Sequence, residues 1–262
     1  MNLFFWRQPR IAVIELHGLI APRKGALNIG DLAEPIRKAF ASAGKFPVIL
    51  DIESPGGSPV QSDMVAAEIR RLSDKHNTRV YAAIREVGAS GGYWLACAAD
   101  EIHANPMSIV GSIGVRGGGF GVPALMQRLG IEYRLYTAGT NKARFDPFAP
   151  EKPEDAVFAR DLMADLHERF KAWVRTRRGT RLTADEATIF DGGFMLGSRA
   201  KEVGLIDGFG DVDALVRRFG GEKAKARRFK PAKPGLLARL PKMAVAALFD
   251  TAEERTGRIE LR

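Results

Sequence analysis

Apolar residues form short continuous runs in the first half of this chain, with helically spaced apolar positions between them. Residues 11–16 and 48–52 are β-branched and apolar without clean alternation, which predicts strands buried on both faces. Between them Ile29, Leu32, Ala33, Ile36, Ala39 and Phe40 recur every three or four residues, predicting a helix within 28–43. Pro35 suits a first helical turn and places the start near Leu32. A second helix is predicted over 60–73, a strand over 80–85, a helix from Ser90 through 92–99, and short strands over 101–103 and 131–136. Such alternation implies right-handed crossovers feeding a mostly parallel sheet, with functional groups at the C-terminal ends of its strands.

Beyond Gly139 a loop with Lys142, Pro147 and Pro150 leads to Val157, Phe158, Leu162, Leu166, Phe170 and Trp173, whose spacing predicts a long helix over 153–178. A short helix opening at Thr183-Ala184-Asp185-Glu186 follows, then a helix, glycine cap and strand or turn over 199–207, and a last helix over 212–219. The helical spacing near Leu125 to Leu129, and Met195, read by default as core packing. The chain thus divides into an N-terminal extension (1–10), a main domain (11–221) and a basic tail (222–262), in which 222–234 reads as linker and 236–249 as an amphipathic helix.

Three glycine-rich turns punctuate this pattern: Ser54-Pro55-Gly56-Gly57-Ser58, Gly88-Ala89-Ser90-Gly91-Gly92-Tyr93 and Gly111-Ser112-Ile113-Gly114-Val115. Glycine lets the backbone adopt conformations closed to other residues and lets another chain approach closely. Ser90, between a predicted strand and a predicted helix, has the setting of a nucleophile elbow; the plainer reading is a helix N-cap. Lys142 in isolation reads as a solvated loop lysine, Ser112 as a turn hydroxyl and Gly56-Gly57 as a tight turn.

Composition changes this picture little. The 262 residues, 45% hydrophobic and 27% charged, describe an ordinary globular protein, and the net charge of +9 is concentrated in 175–181 and 223–242. Those basic stretches read first as solvated segments and second as attraction to an anionic membrane surface or nucleic acid. Cys97, the only cysteine, excludes an intramolecular disulfide and a cysteine metal cluster, and its apolar surroundings make it a small core residue. His17, His76, His103 and His167 show no paired metal spacing, so neither metal nor cofactor is expected. No run reaches the ~18 apolar residues of a membrane span, and 1–7 lacks the order of a cleavable signal peptide. The expectation is a cytoplasmic chain, with Leu3 to Trp6 available to a membrane interface or a partner's groove.

A serine needs something to take its proton. The histidine placement argues against a Ser-His-Asp triad, and a lysine whose ammonium form is disfavoured by burial can serve instead. Composition does not choose among the 40 Lys and Arg. Asp51 and Glu53 read as capping or salt-bridging groups.

Four motifs in order carry a resemblance: Asp51-Ile52-Glu53-Ser54-Pro55-Gly56-Gly57, Ala89-Ser90-Gly91-Gly92-Tyr93-Trp94, Val110-Gly111-Ser112-Ile113-Gly114-Val115 and Tyr136-Thr137-Ala138-Gly139-Thr140-Asn141-Lys142. Together they resemble the short form of the signal peptide peptidase A (SppA) family of serine peptidases, over about residues 11 to 220, including the 197–207 stretch. The resemblance implies an α/β fold of the Clp protease/crotonase-like kind, with repeated β-β-α units, a mostly parallel sheet and C-terminal helices. It implies Ser90 as nucleophile, Lys142 as general base, Ser112 as the hydroxyl that orients the lysine, and amides of Gly56, Gly57 and Gly91 as oxyanion hole. It further implies a homo-oligomer, an octamer-like ring or dome, in which one subunit's lysine completes the next subunit's serine. The substrates implied are peptides, signal-peptide remnants or other hydrophobic or unfolded chains, with peripheral membrane contact open and no nucleic-acid partner. The chain departs from the family in lacking a membrane-spanning anchor and in the residues Gly192-Gly193-Phe194-Met195. Two other classes stay open: crotonase-like acyl-CoA hydration or hydrolysis, and a non-enzymatic membrane-surface scaffold.

Overall fold

The computed structural model describes residues 8–231; the aromatic N-terminal cluster and the amphipathic helix expected over 236–249 lie outside them. The first half runs β1 (Arg10–His17), α1 (Ile29–Ala43), β2 (Val48–Ser54), α2 (Pro59–His76), β3 (Val80–Ala89), α3 (Gly91–Ala96), β4 (Glu101–Ala104) and β5 (Ile109–Gly111). These strands pair in parallel: β1 with β2, β2 with β3, and β3 with β4 through its first half and with β5 through its last three residues. The second half runs α4 (Pro123–Arg128), α5 (Pro153–Arg178), α6 (Glu186–Ile189), β6 (Phe194–Leu196), α7 (Gly197–Glu202), β7 (Gly208–Phe209), α8 (Val212–Gly220) and β8 (Lys225–Phe229). The expected α/β architecture with a mostly parallel sheet is the one adopted; the β5–β6 pair is antiparallel.

The unalternating apolar runs bury both faces of the sheet. On one face Ala12, Ile14, Leu16, Leu50 and Ile52 pack with Leu32, Ile36 and Phe40 of α1 and Val65 and Ile69 of α2. On the other, Ile11, Val13, Ile49, Tyr81 and Ala83 lie against Val212, Leu215 and Val216 of α8. Further along that second face the same parity presents Asp51, which is fully buried. Burial pushes its carboxyl up, but hydrogen bonds from His17, Arg85 and Arg228 outweigh this and hold it far below the usual carboxylate range. Asp51 is thus a salt-bridging group, and Glu53 accepts the Glu86 amide.

Several expectations are corrected. α1 starts at Ile29, capped by Asn28, so Pro35 sits in its interior; the proline lacks an N–H, and the helix forgoes one bond there. Residues 131–136 pair with no strand, and most of 116–152 is an exposed arm on which Leu125 and Leu129 face outward rather than into a core. The stretch read as linker contains β8, parallel to β1, so the sheet extends beyond residue 221. The arginines of 175–181 are not a free basic patch. Arg177 donates to the Cys97 and Ala99 carbonyls, Arg178 to Gly204 and Asp207, and Arg181 to Asp100 and Asp207. Cys97 is buried as expected, and that burial pushes its thiol up to about 12.

Candidate active site

Ser90 sits where β3 ends and α3 begins, with φ 51° and ψ −123°, a backbone region that costs a serine about 1–3 kcal/mol. The surroundings fix it there: its N–H donates to Gly111 O at 2.8 Å and its C=O accepts from Trp94 N at 2.9 Å. Although Ser90 is the N-cap residue of α3, its hydroxyl makes no capping hydrogen bond. Buried Tyr93 fastens the helix by donating from its hydroxyl to Leu205 O at 2.7 Å.

The Pro55-Gly56-Gly57 turn touches this elbow backbone to backbone. A Cβ on Gly56, whose φ is +99°, would stand 2.7 Å from both Ser90 Cβ and Gly91 N. Gly56→Ala should therefore displace the elbow and destabilise the fold by about 1–3 kcal/mol, checked by the melting temperature. Buried Ser54 organises the turn, donating to Gly18 O at 2.7 Å and accepting from Gly56 N at 3.2 Å. The Gly56 amide is thus engaged within its own turn. Ile20 bridges the flanking residues, its N–H donating to Gly56 O and its C=O accepting from Ser58 N, so the Gly57 N–H lies on the opposite side from Ile20. The Gly91 N–H, in the first turn of α3, has no intrahelical acceptor.

Ser112 follows β5 with φ +52°. Because Ala89 pairs with Gly111, Ser90 and Ser112 leave adjacent parallel strands at the same level. The Ser112 amide donates to Gly193 O at 2.6 Å, and Ile113 O accepts from His167 Nε2 at 2.8 Å. Lys142 stands apart, exposed in the turn of the arm; its N–H donates to Gly139 O, and among the described residues its Nζ makes no hydrogen bond or ion pair. One chain therefore assembles Ser90, the Gly56-Gly57 turn, Gly91 and the Ser112 segment, without joining Lys142 to them by a hydrogen bond. Sequence reasoning gave no role to Ser54, although it immediately precedes the Pro-Gly-Gly signal, or to His167, whose contact lies 54 residues away. A cavity of about 590 Å³ opens elsewhere, among Arg85, Met107, Asp211 and Arg228, and neither Ser90 nor Lys142 lines it.

The sequence model of peptidase family S49 matches residues 73–226, which include both the Ser90 elbow and Lys142. The chain belongs to peptidase family S49. It is 42% identical over 236 residues to a Brucella abortus chain named Na(+)/H(+) antiporter NhaA, covering 88% of this chain and 32% of that one. It is 31% identical over 205 residues to a Synechocystis chain named as a protease, with 77% and 70% covered. It is 29% identical over 215 residues to the chloroplastic serine protease SPPA of Arabidopsis thaliana, with 79% and 31% covered. The chain thus spans about a third of the Brucella and Arabidopsis relatives. Among solved structures it resembles a 1510-N membrane-bound stomatin-specific protease at TM-score 0.52 and 14% identity, over 86% of this chain and all of that one, which shows the shared fold. Among the described residues no helix is long and apolar enough to cross a membrane.

Proposed function

We propose that this S49 peptidase is a serine endopeptidase with a Ser90–Lys142 dyad, acting on signal-peptide remnants or other hydrophobic, unfolded peptides. The observation that carries this reading is the Ser90 elbow: a strained residue whose hydroxyl does no capping, held against the Gly56–Gly91 backbone contact. Ser90 Oγ attacks the peptide carbonyl carbon while its proton passes to the Lys142 amine. The resulting oxyanion accepts hydrogen bonds from the Gly57 and Gly91 amides; Gly56, whose N–H serves Ser54, shapes the hole by packing. Lys142 then protonates the leaving amine, the C–N bond breaks, and an acyl-Ser90 ester remains. Water adds to that ester with Lys142 as base, releasing the acid and restoring the serine proton. Ser112 holds the lysine toward Ser90.

The lysine comes from a neighbouring subunit of a ring or dome. The arm supports this: Phe120 is 93% and Tyr136 88% exposed, and Leu129, Ile131 and Leu135 also face outward, more apolar surface than a solitary subunit ordinarily presents. The antiporter name of the Brucella relative supports substrates at a membrane surface. Complementation tests the shared site. Ser90→Ala and Lys142→Ala are each expected to be inactive, and mixing them after dissociation and reassembly should restore part of the activity. Mixed assemblies, verified by native mass, that recover none would overturn the shared site.

A further inference from the structure

Lys142 lies on an exposed arm, yet the turn that carries it is fastened at one point. Two residues on, the Arg144 guanidinium stacks 4.1 Å from the Phe158 ring centroid, and its Nε lies 3.2 Å from Asp155 Oδ1. Both partners belong to the first turns of α5, and Asp155 is buried although it sits near a helix start. The other end of the fork reaches back: Arg144 Nη2 donates to Asn141 Oδ1, the residue before the lysine, at 3.1 Å. Phe145 is held at φ +62°, uncommon for a bulky residue, with its ring 6.1 Å from that of Phe158. The turn is thus closed on one side by the Lys142 N–H bond to Gly139 O and clamped on the other to α5.

The same helix then meets this chain's own serine segments in order. His167 bonds Ile113 O beside Ser112, Trp173 Nε1 donates to Trp94 O in the Ser90 helix, and Arg177 holds the carbonyls at that helix's end. One 26-residue helix therefore fixes the lysine turn at its start and the serine segments along its length.

We infer that Arg144 is a positioning residue: through Asp155, Phe158 and Asn141 it sets where the arm presents Lys142. This rests on the Ser–Lys reading. A lysine side chain is long and flexible, so where its backbone is anchored decides how often the amine reaches the serine, and a misplacement of about 1 Å can cost a hundredfold. A planar five-donor fork is suited to the task, since it can stack on one ring while pairing with one carboxylate and hydrogen-bonding a second partner.

The test compares Arg144→Gln, Arg144→Lys, Asp155→Asn and the double variant Arg144→Gln/Asp155→Asn as full chains. Arg144→Gln should lower kcat by roughly tenfold to a hundredfold with KM within about twofold, and slow fluorophosphonate labelling of Ser90 in parallel. Arg144→Lys, which keeps the charge over Phe158 and beside Asp155, should recover part of that loss. The double variant should be no worse than the more affected single one. Unchanged kcat in Arg144→Gln overturns the inference, as does a loss of activity that simply follows a loss of assembled mass or of melting temperature. Lys142→Ala separates the two levels: if it keeps wild-type hydrolysis the Ser–Lys reading falls and this inference with it, whereas an inactive Lys142→Ala beside a fully active Arg144→Gln sinks only the positioning role.

Discussion

Ser90→Ala is expected to lower peptide hydrolysis by at least about a thousandfold while the fold stays intact. The hydroxyl forms no capping bond, so folding loses little when it goes, whereas the backbone bonds to Gly111 and Trp94 persist. Alanine keeps the left-handed strain of φ 51°; glycine releases it. Ser90→Gly should therefore be equally inactive and melt no lower than Ser90→Ala. That pair of variants separates chemistry from architecture: a serine placed there as a cap would lower stability when removed and leave hydrolysis unaffected. Kinetics on an unstructured peptide, with melting temperatures for both variants, reads the two effects, and substantial hydrolysis by Ser90→Ala would overturn the nucleophile assignment.

Arg178→Ala is expected to be the most destabilising single change in the described core, by about 3–5 kcal/mol, or roughly 10 °C in melting temperature. The Arg178 side chain is 1% exposed, at the end of α5. Its fork donates to both Asp207 oxygens, at 2.7 and 3.0 Å, and its Nε to Gly204 O at 2.9 Å. Asp207 also accepts the Ile102 amide, so removing the arginine strands a carboxylate that ties α5 to β4. Burial pushes the Asp207 carboxyl up, but the Arg178 fork, the Ile102 amide and Arg181 outweigh it and hold the group below its ordinary value. Because the folded form is the weaker base, this stabilisation is complete above the ordinary carboxylate range and is lost as pH falls through the folded value. Asp51 acts in the same sense. Wild type should lose stability on acidification below about pH 4, with a shallower acid limb in Asp207→Asn, as thermal melts between pH 3 and 7 would record.

The local pattern was legible in the sequence because period and turn chemistry are local. The continuous runs at 11–16 and 48–52 could only be strands covered on both sides, and the spacing from Val157 to Trp173 marked the extent of α5. Glycines after apolar runs marked the three turns, since close backbone approach leaves no room for a side chain, and the Gly56–Ser90 contact shows that room missing. The expectations that failed were those in which a partner distant in sequence decides. Residues 225–229 are basic and weakly patterned, yet β1 offers a free edge and they pair with it. The arginines of 175–181 look like a solvated patch until the carbonyls at the end of α3 and the Asp207 carboxylate, brought beside them by the fold, take up their donors. Pro35 misled because a helix packed through Leu32, Ile36 and Phe40 tolerates one missing bond.

By itself, then, the sequence determined the strand and helix order from β1 through β4, the glycine turns and the serine between β3 and α3, because each depends on residues within a few positions. The tertiary structure alone decided that Ser90 is strained with its hydroxyl outside the cap, that the Gly56 turn packs against the elbow, and that Arg144 ties the Lys142 turn to α5. Those properties depend on which groups from different elements meet, and only the closed fold sets that.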